Sequence, residues 1–280
     1  MTVLCPRTLE EACAAAASLP EADLLAGGTD LMVEVNGGHR RPTDVISLVG
    51  VDELREWSTT EDRITIGAGV TFARIASGEL AALAPALAMA ARTVGSPQIR
   101  NAATIGGNLG TGSPAGDSLP VLAALDATVV LHSVDGTREI PLTEFCLGPK
   151  RIDRRPGELI TAVRMDRLDG PQEFCKLGTR QAMVISVVSV AVVTDRPTSS
   201  IRVGLGAVGP VPLRAPEAEA FAAGAVDWSG GTSVSAATCA RFSELVRAAA
   251  RPIDDHRSTA DYRRHAAGVL GGRALRRIFP

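Results

Sequence analysis

No apolar stretch in this sequence is long enough for a bilayer. Leu80–Ala91, interrupted by Pro85, and Met183–Val193 are the longest, and both fall short of the roughly 20 residues a spanning helix needs. No charged start leads into an apolar stretch in the manner of a signal peptide, so the expectation is a soluble, cytoplasmic chain without membrane insertion. The five cysteines, Cys5, Cys13, Cys146, Cys175 and Cys239, form no Cys-x-x-Cys pair. The histidines, His39, His132, His256 and His265, contain no His-Glu-x-x-His. The usual ligand spacings of zinc and iron–sulfur centres are thereby excluded. There is also no charge of one sign to exploit: 29 basic residues face 31 acidic ones, for a formal net charge of −2. That removes the electrostatic case for nucleic acid. Lysine is nearly absent, only Lys150 and Lys176, and aromatics are 3% of the chain. With so few rings, a planar ligand is expected to be covered by aliphatic side chains.

What is present is a chain of 280 residues, 45% hydrophobic and 21% charged, enough for a buried core and, by size, for two domains. Thr8-Leu9-Glu10-Glu11 is a capping box that opens an Ala-rich helix ending at Pro20. A strand is expected at Asp23–Ala26, stopped by Gly27-Gly28-Thr29-Asp30, and a helix from Leu31. Strands follow at Val45–Leu48 and Arg63–Ile66, a helix capped by Thr71 runs through Ala76, and Leu80–Thr93 forms an Ala/Leu helix kinked or restarted at Pro85. Gly95 to Gly116 reads as one long loop of small and polar residues, a size that is usually functional or disordered. Asp126–His132, Glu139–Leu142 and Glu158–Met165 read as strands. The composition breaks at Leu168-Asp169-Gly170-Pro171, a fitting domain boundary. Beyond it Phe174–Lys176, Val187–Thr194 and Ser200–Ala207 read as strands, and Ser243–Ala250 and Ala260–Ile278 as helices. Strands followed by helices indicate an α+β layer.

Gly204-Leu205-Gly206-Ala207-Val208-Gly209 has the spacing of a dinucleotide fingerprint. That fingerprint works only where a helix opens at the glycines. Pro210 and Pro212 follow at once and prevent it, so a Rossmann site is rejected and the glycines are expected to turn a strand end. Leu24-Leu25-Ala26-Gly27-Gly28-Thr29-Asp30-Leu31 is different. Successive glycine amides between a strand and a helix can form a concave nest for a phosphate without any lysine, although a Gly-Gly turn is often only a turn. Gln98-Ile99-Arg100-Asn101-Ala102-Ala103-Thr104-Ile105-Gly106-Gly107-Asn108 repeats that chemistry, and two such loops can close on a dinucleotide from opposite sides. Downstream, Asp117 offers a carboxylate suited to ribose hydroxyls.

Ala26-Gly27-Gly28-Thr29-Asp30-Leu31 and Thr104-Ile105-Gly106-Gly107-Asn108 resemble the two flavin motifs of the FAD-binding (medium) subunit of molybdenum hydroxylases. This family includes bacterial xanthine dehydrogenases, carbon monoxide dehydrogenase and nicotinate or aldehyde dehydrogenases. The likeness continues in order through Gly157-Glu158-Leu159-Ile160, Lys176-Leu177-Gly178-Thr179-Arg180 and Gly206-Ala207-Val208-Gly209-Pro210-Val211-Pro212. It ends in Pro252-Ile253-Asp254-Asp255-His256-Arg257 and Asp261-Tyr262-Arg263-Arg264.

The resemblance implies an α+β fold. Residues 1–168 would be a PCMH-type (vanillyl-alcohol-oxidase-like) FAD-binding domain in two lobes, about 1–55 and 56–168, and residues 169–280 a smaller α+β carboxy-terminal domain. It implies FAD as cofactor. Leu24 through Leu31 and Thr104 through Asn108 would hold the pyrophosphate, with further contacts from Val94, Asp117, Ile160 and Lys176 and an apolar contact from Ile185 near the isoalloxazine ring. On spacing alone Lys176 is equally a solvated strand lysine; the resemblance implies flavin contact, where its charge would favour the anionic reduced form. Implied partners are a molybdenum-cofactor large subunit and a [2Fe-2S] small subunit, in a heterotrimer, doubled. The implied role is to accept electrons from the clusters and pass them to NAD or another acceptor, with no side chain of this chain attacking substrate. Two other readings stay open: a stand-alone flavoprotein oxidoreductase of the same FAD fold, and a cofactor-free scaffold subunit.

Overall fold

The Thr8 hydroxyl accepts the Glu11 amide at 3.1 Å and starts helix α1 (Leu9–Ser18). The Glu11 carboxylate reaches back to the amide of Arg7, at 2.7 Å, one residue beyond the N-cap amide that the reciprocal bond of a capping box uses. In this computed structural model, which describes residues 2–230 and 233–280, α1 covers the first of the three larger sheets. Strands β1 (Thr2–Leu4), β2 (Asp23–Leu25) and β3 (Asp44–Ser47) pair in the order β1-β3-β2, all parallel. Helix α2 (Leu31–Asn36) bridges β2 and β3. Ala12, Cys13 and Ala16 of α1 pack on Ile46, Val51 and Leu54.

The second lobe is an antiparallel sheet of β4 (Trp57–Thr59), β5 (Arg63–Gly67), β6 (Thr128–Ser133), β7 (Gly136–Pro141) and β10 (Leu159–Asp166), in the order β4-β5-β10-β6-β7. Between β5 and β6 run α3 (Phe72–Ile75), α4 (Gly78–Leu83), α5 (Pro85–Thr93), α6 (Pro97–Ala102), α7 (Ile105–Thr111) and α8 (Ser118–Ala124). Pro85 restarts the chain as the first residue of α5, where a missing amide costs nothing. The expected loop of Gly95 to Gly116 is instead two short helices. Ser96 caps one through the Ile99 amide and Thr104 the other through the Gly107 amide, so local side-chain caps outweigh the low helix propensity of the glycines. Helix α9 (Leu142–Phe145) and the hairpin of β8 (Cys146–Gly148) and β9 (Arg151–Ile152) lead to β10.

The third sheet, β11-β12-β13-β14, is antiparallel: β11 (Gln172–Leu177), β12 (Val188–Asp195), β13 (Ser200–Gly206) and β14 (Leu213–Arg214). Helices α10 (Pro216–Ala225), α11 (Ala236–Ala249) and α12 (Ala260–Ile278) complete the chain. α10 lay outside the sequence expectations, and α11 begins seven residues before the expected Ser243, because Ser235 caps it through Thr238. Val188 through Thr194 of β12 are all buried, as a continuous apolar run predicts for a strand covered on both faces. Val188, Val190 and Val192 face the carboxy-terminal helices' core. Ala191 and Val193, pointing the other way, join the second lobe's core with Leu87 and Leu119. The third sheet is therefore docked on α5 and α8, which brings residues near 176 and 186 beside residues near 93 and 117.

Candidate functional site

A cavity of about 1060 Å³ extends along the first two lobes to the edge of the third sheet, as large as small-molecule sites generally become. Glycine is required where the two predicted loops meet. A Cβ at Gly27 would overlap the carbonyl of Ala102, so only glycine lets the end of β2 approach α6 this closely. Gly28 takes φ +70°, in the left-handed region that β-carbons disfavour. Among the described residues, no acceptor meets the amides of Gly27, Gly28, Thr29 and Asp30, and all four residues line the cavity. Four consecutive unspent N–H donors next to a left-handed glycine are the kind of arrangement that suits an anion.

The second loop is not an equivalent nest. Ile105 donates to the Val70 carbonyl at 3.0 Å, Gly106 to Ala68 at 2.9 Å and Asn108 to Thr104 at 3.0 Å. Gly107 donates to the Thr104 hydroxyl at 3.0 Å. With those amides committed, Thr104, Gly106, Gly107 and Asn108 line the cavity as surface. Ile105 does not line it: the side chain, on the inner face of α7, is fully buried in the second lobe's core. Thr111 donates to Asp30 at 2.9 Å and ties the two loops together. The Asn108 side chain accepts from Ser118 at 2.6 Å.

Leu24, Leu25, Ala26, Leu31, Val94 and Ile160 also line the cavity, as does Ile185, which is 62% exposed. Asp117 reaches the cavity but is only 6% exposed. It accepts from Ser186 at 2.6 Å through Oδ1, and from Thr93 at 3.1 Å and Lys176 at 2.5 Å through Oδ2. A carboxylate has about four acceptor sites, so three are already filled and little is left for ribose. Lys176 itself is absent from the cavity wall, with a side chain 9% exposed. The docking of the third sheet packs it against Asp117, so it is not a solvated strand lysine.

Several lining residues carried no sequence signal. Arg40 pairs with Asp23, and Lys150 with Glu34 at 2.7 Å. Arg154 lines the cavity and donates to the Glu158 carbonyl at 2.9 Å, with no carboxylate in an ion pair. Burial pushes its guanidinium below the usual arginine value despite attraction from Glu158 and Glu21. In a chain of 27 arginines one more was uninformative. Among the described residues no group of three or more His, Cys, Asp or Glu is placed to hold a metal ion, and burial pushes the Cys146 and Cys175 thiols up to about 11. No helix among the described residues is long and apolar enough to cross a membrane. The free amides, Arg154 on the cavity wall and a cavity of about 1060 Å³ fit a phosphate-bearing dinucleotide.

Residues 1–165 match the family model described as FAD binding domain in molybdopterin dehydrogenase, and residues 173–278 match CO dehydrogenase flavoprotein C-terminal domain. The chain is 40% identical over 233 residues to the nicotinate dehydrogenase FAD-subunit of Eubacterium barkeri, covering 79% of this chain and 78% of that one. It is 30% identical over 268 residues to the putative xanthine dehydrogenase FAD-binding subunit of Escherichia coli K12, covering 92% and 89%. A chain in the solved carbon monoxide dehydrogenase of Hydrogenophaga pseudoflava superposes with a TM-score of 0.86 at 28% identity, over 98% of this chain and 96% of that one. By fold, site and these matches, the chain belongs to the FAD-binding medium subunits of the molybdenum hydroxylases, as an oxidoreductase flavoprotein subunit with FAD as its cofactor.

Proposed function

We propose that this subunit accepts electrons from the [2Fe-2S] clusters of a small partner subunit and delivers them to NAD or another acceptor, in an assembly with a molybdenum-cofactor large subunit. Bound FAD supplies the redox chemistry, joining one-electron delivery to two-electron release, while the protein binds, orients and tunes. The chain divides, in this reading, into a FAD-binding domain over residues 1–168 and a carboxy-terminal domain over 169–280.

The observation that carries the reading is the run of four unpartnered amides at Gly27–Asp30, opening on a cavity of about 1060 Å³. Those amides and Thr29 take the pyrophosphate, with Leu24, Leu25, Ala26 and Leu31 shaping the turn. Thr104, Gly106, Gly107 and Asn108 form the opposing wall, and Ile105 anchors that wall from the core. Arg154 adds a charge for the anionic half of the ligand. Val94, Asp117, Ile160 and Ile185 surround the flavin half. Ile185 and Met183, both more than half exposed, leave an apolar edge where a partner's cluster can approach. Support for electron delivery also comes from the relatives, whose names are those of dehydrogenase subunits.

The test is an absorbance spectrum of the purified chain with and without added FAD, followed by dithionite. From the chain alone, flavin bands that bleach on reduction without a broad iron–sulfur background are expected; in a separate isolation of the native assembly, cluster and molybdenum subunits are expected to co-purify with it. A purified complex without flavin would sink the reading.

A further inference from the structure

We propose that Arg263 is a positioning residue for the flavin half of the cavity: its guanidinium pins, from behind, the two backbone segments near 114 and 185 that wall that half. The inference rests on the function proposed above. Arg263 is in the first turn of α12, where a cation opposes the helix dipole, so stability of the helix does not account for it. The residue is 2% exposed. Its Nη1 donates to the carbonyls of Ala207 at 2.9 Å and Val187 at 3.2 Å, and its Nη2 donates to Asp255 at 2.5 Å. Asp255 is itself fixed by the Arg257 amide at 2.8 Å and the Arg257 guanidinium at 2.6 Å. Val187 and Ala207 stand side by side where β12 begins and β13 ends.

Each of the two carbonyls belongs to a segment that leads to the cavity. The Val187 amide donates to Leu177 at 2.8 Å and closes the base of loop 178–186, in which Val184 and Ile185 line the cavity. The Ala207 amide donates at 2.8 Å to Pro114, whose neighbours Ser113 and Ala115 line the cavity from the second lobe. Ala207 takes φ +60°, a left-handed conformation that is costly for a residue with a β-carbon and persists only where its surroundings hold it. Here Pro114 holds its N–H and Arg263 its C=O. The planar guanidinium serves two carbonyls and a carboxylate at once, which the point charge of a lysine does not reproduce. A buried carbonyl left without its donor is costly, so loss of the fork releases both wall segments together.

Amide hydrogen exchange on the full chain, resolved to single residues, separates this role from general support of the domain. Arg263→Lys keeps the charge and loses the fork. Exchange at Val187 and Ala207 is expected to quicken about tenfold, the equivalent of one hydrogen bond, while Val192 in the middle of β12 and Val163 in β10 are unchanged. FAD affinity, read by quenching of flavin fluorescence, is expected to fall about tenfold as well. Asp255→Asn, which keeps Arg263 but loosens its aim, is expected to show the same local pattern more weakly, and it carries the test if Arg263→Lys does not fold. Exchange that is unchanged at Val187 and Ala207, or that quickens equally at Val192, overturns the inference. Unchanged FAD affinity in a variant with the local pattern overturns it too, and in each of these cases the FAD function stands. If the unmodified chain takes up no FAD, alone or with its partners, the function and the inference fall together.

Discussion

Gly27 is where sequence and space agree most closely. The Gly-Gly pair signals a turn, but the need for glycine at the first position comes from the Ala102 carbonyl, 75 residues away in the chain, which a Cβ would overlap. Gly27→Ala is therefore expected to push the loop off α6, disperse the four free amides and leave the purified protein with little flavin. Flavin content after denaturation measures this, and a full complement in the variant would exclude the amide nest. Arg154 was illegible by contrast, one arginine among many, and only the fold places it on the cavity wall, where burial lowers its guanidinium. A hydrogen bond to a charged group is worth about 1.5–3 kcal/mol. Arg154→Ala is expected to weaken FAD binding about tenfold or more without unfolding the chain. Titration of flavin fluorescence at two salt concentrations checks it, and unchanged affinity at both would remove Arg154 from the site.

The segment Gly204 to Gly209 illustrates how an element can mimic a motif. Its glycines have the spacing of a dinucleotide fingerprint, yet Gly204 and Gly206 lie on β13 facing α8 and Gly209 lies beyond it against Leu213. A Cβ at Gly204 would overlap the Pro120 carbonyl, so the glycine is there to let a helix pack directly on a strand. The prolines that argued against a nucleotide site were legible; the reason for the glycine was not, since Pro120 is 84 positions away. Gly204→Ala is expected to force α8 from the sheet at a cost of about 3 kcal/mol, lowering the melting temperature by about 6 °C or more. Thermal unfolding followed by circular dichroism checks this, and an unchanged midpoint would mean that α8 shifts freely. The helices between Gly95 and Gly116 were misread for a complementary reason. Propensity favoured a loop, while Ser96 and Thr104 each satisfy an otherwise orphan amide and start a short helix.

The complete molecule is held together by buried charges whose partners come from different segments. Arg263, 2% exposed, donates to the carbonyls of Val187 and Ala207 and pairs with Asp255. Burial raises the Asp255 carboxyl, but hydrogen bonds from Arg257 and Arg263 outweigh it and hold the group well below the usual carboxylate range. Glu158 is likewise lowered, its burial outweighed by Arg138 and the Arg155 amide. A depressed carboxyl contributes stability that is complete above its unfolded value, about 4 for these side chains. That contribution is lost as pH falls through the lower folded value. The urea midpoint is therefore expected to stay level from pH 7 to about 5 and to drop below about 4, with a shallower acid limb in Asp255→Asn. Equal acid limbs in the two proteins would remove Asp255 from that role. The composition, the periodic apolar runs and the ordered motifs by themselves determined the α+β class, the family and the first glycine loop, because each depends on residues close together in sequence. The buried position of Lys176, the commitment of the second loop's amides and the place of Arg154 on the cavity wall were decided only by tertiary structure. Hydrogen-bond satisfaction and desolvation depend on which distant segments pack together, and the third sheet reaches the cavity only once it has docked on α5 and α8.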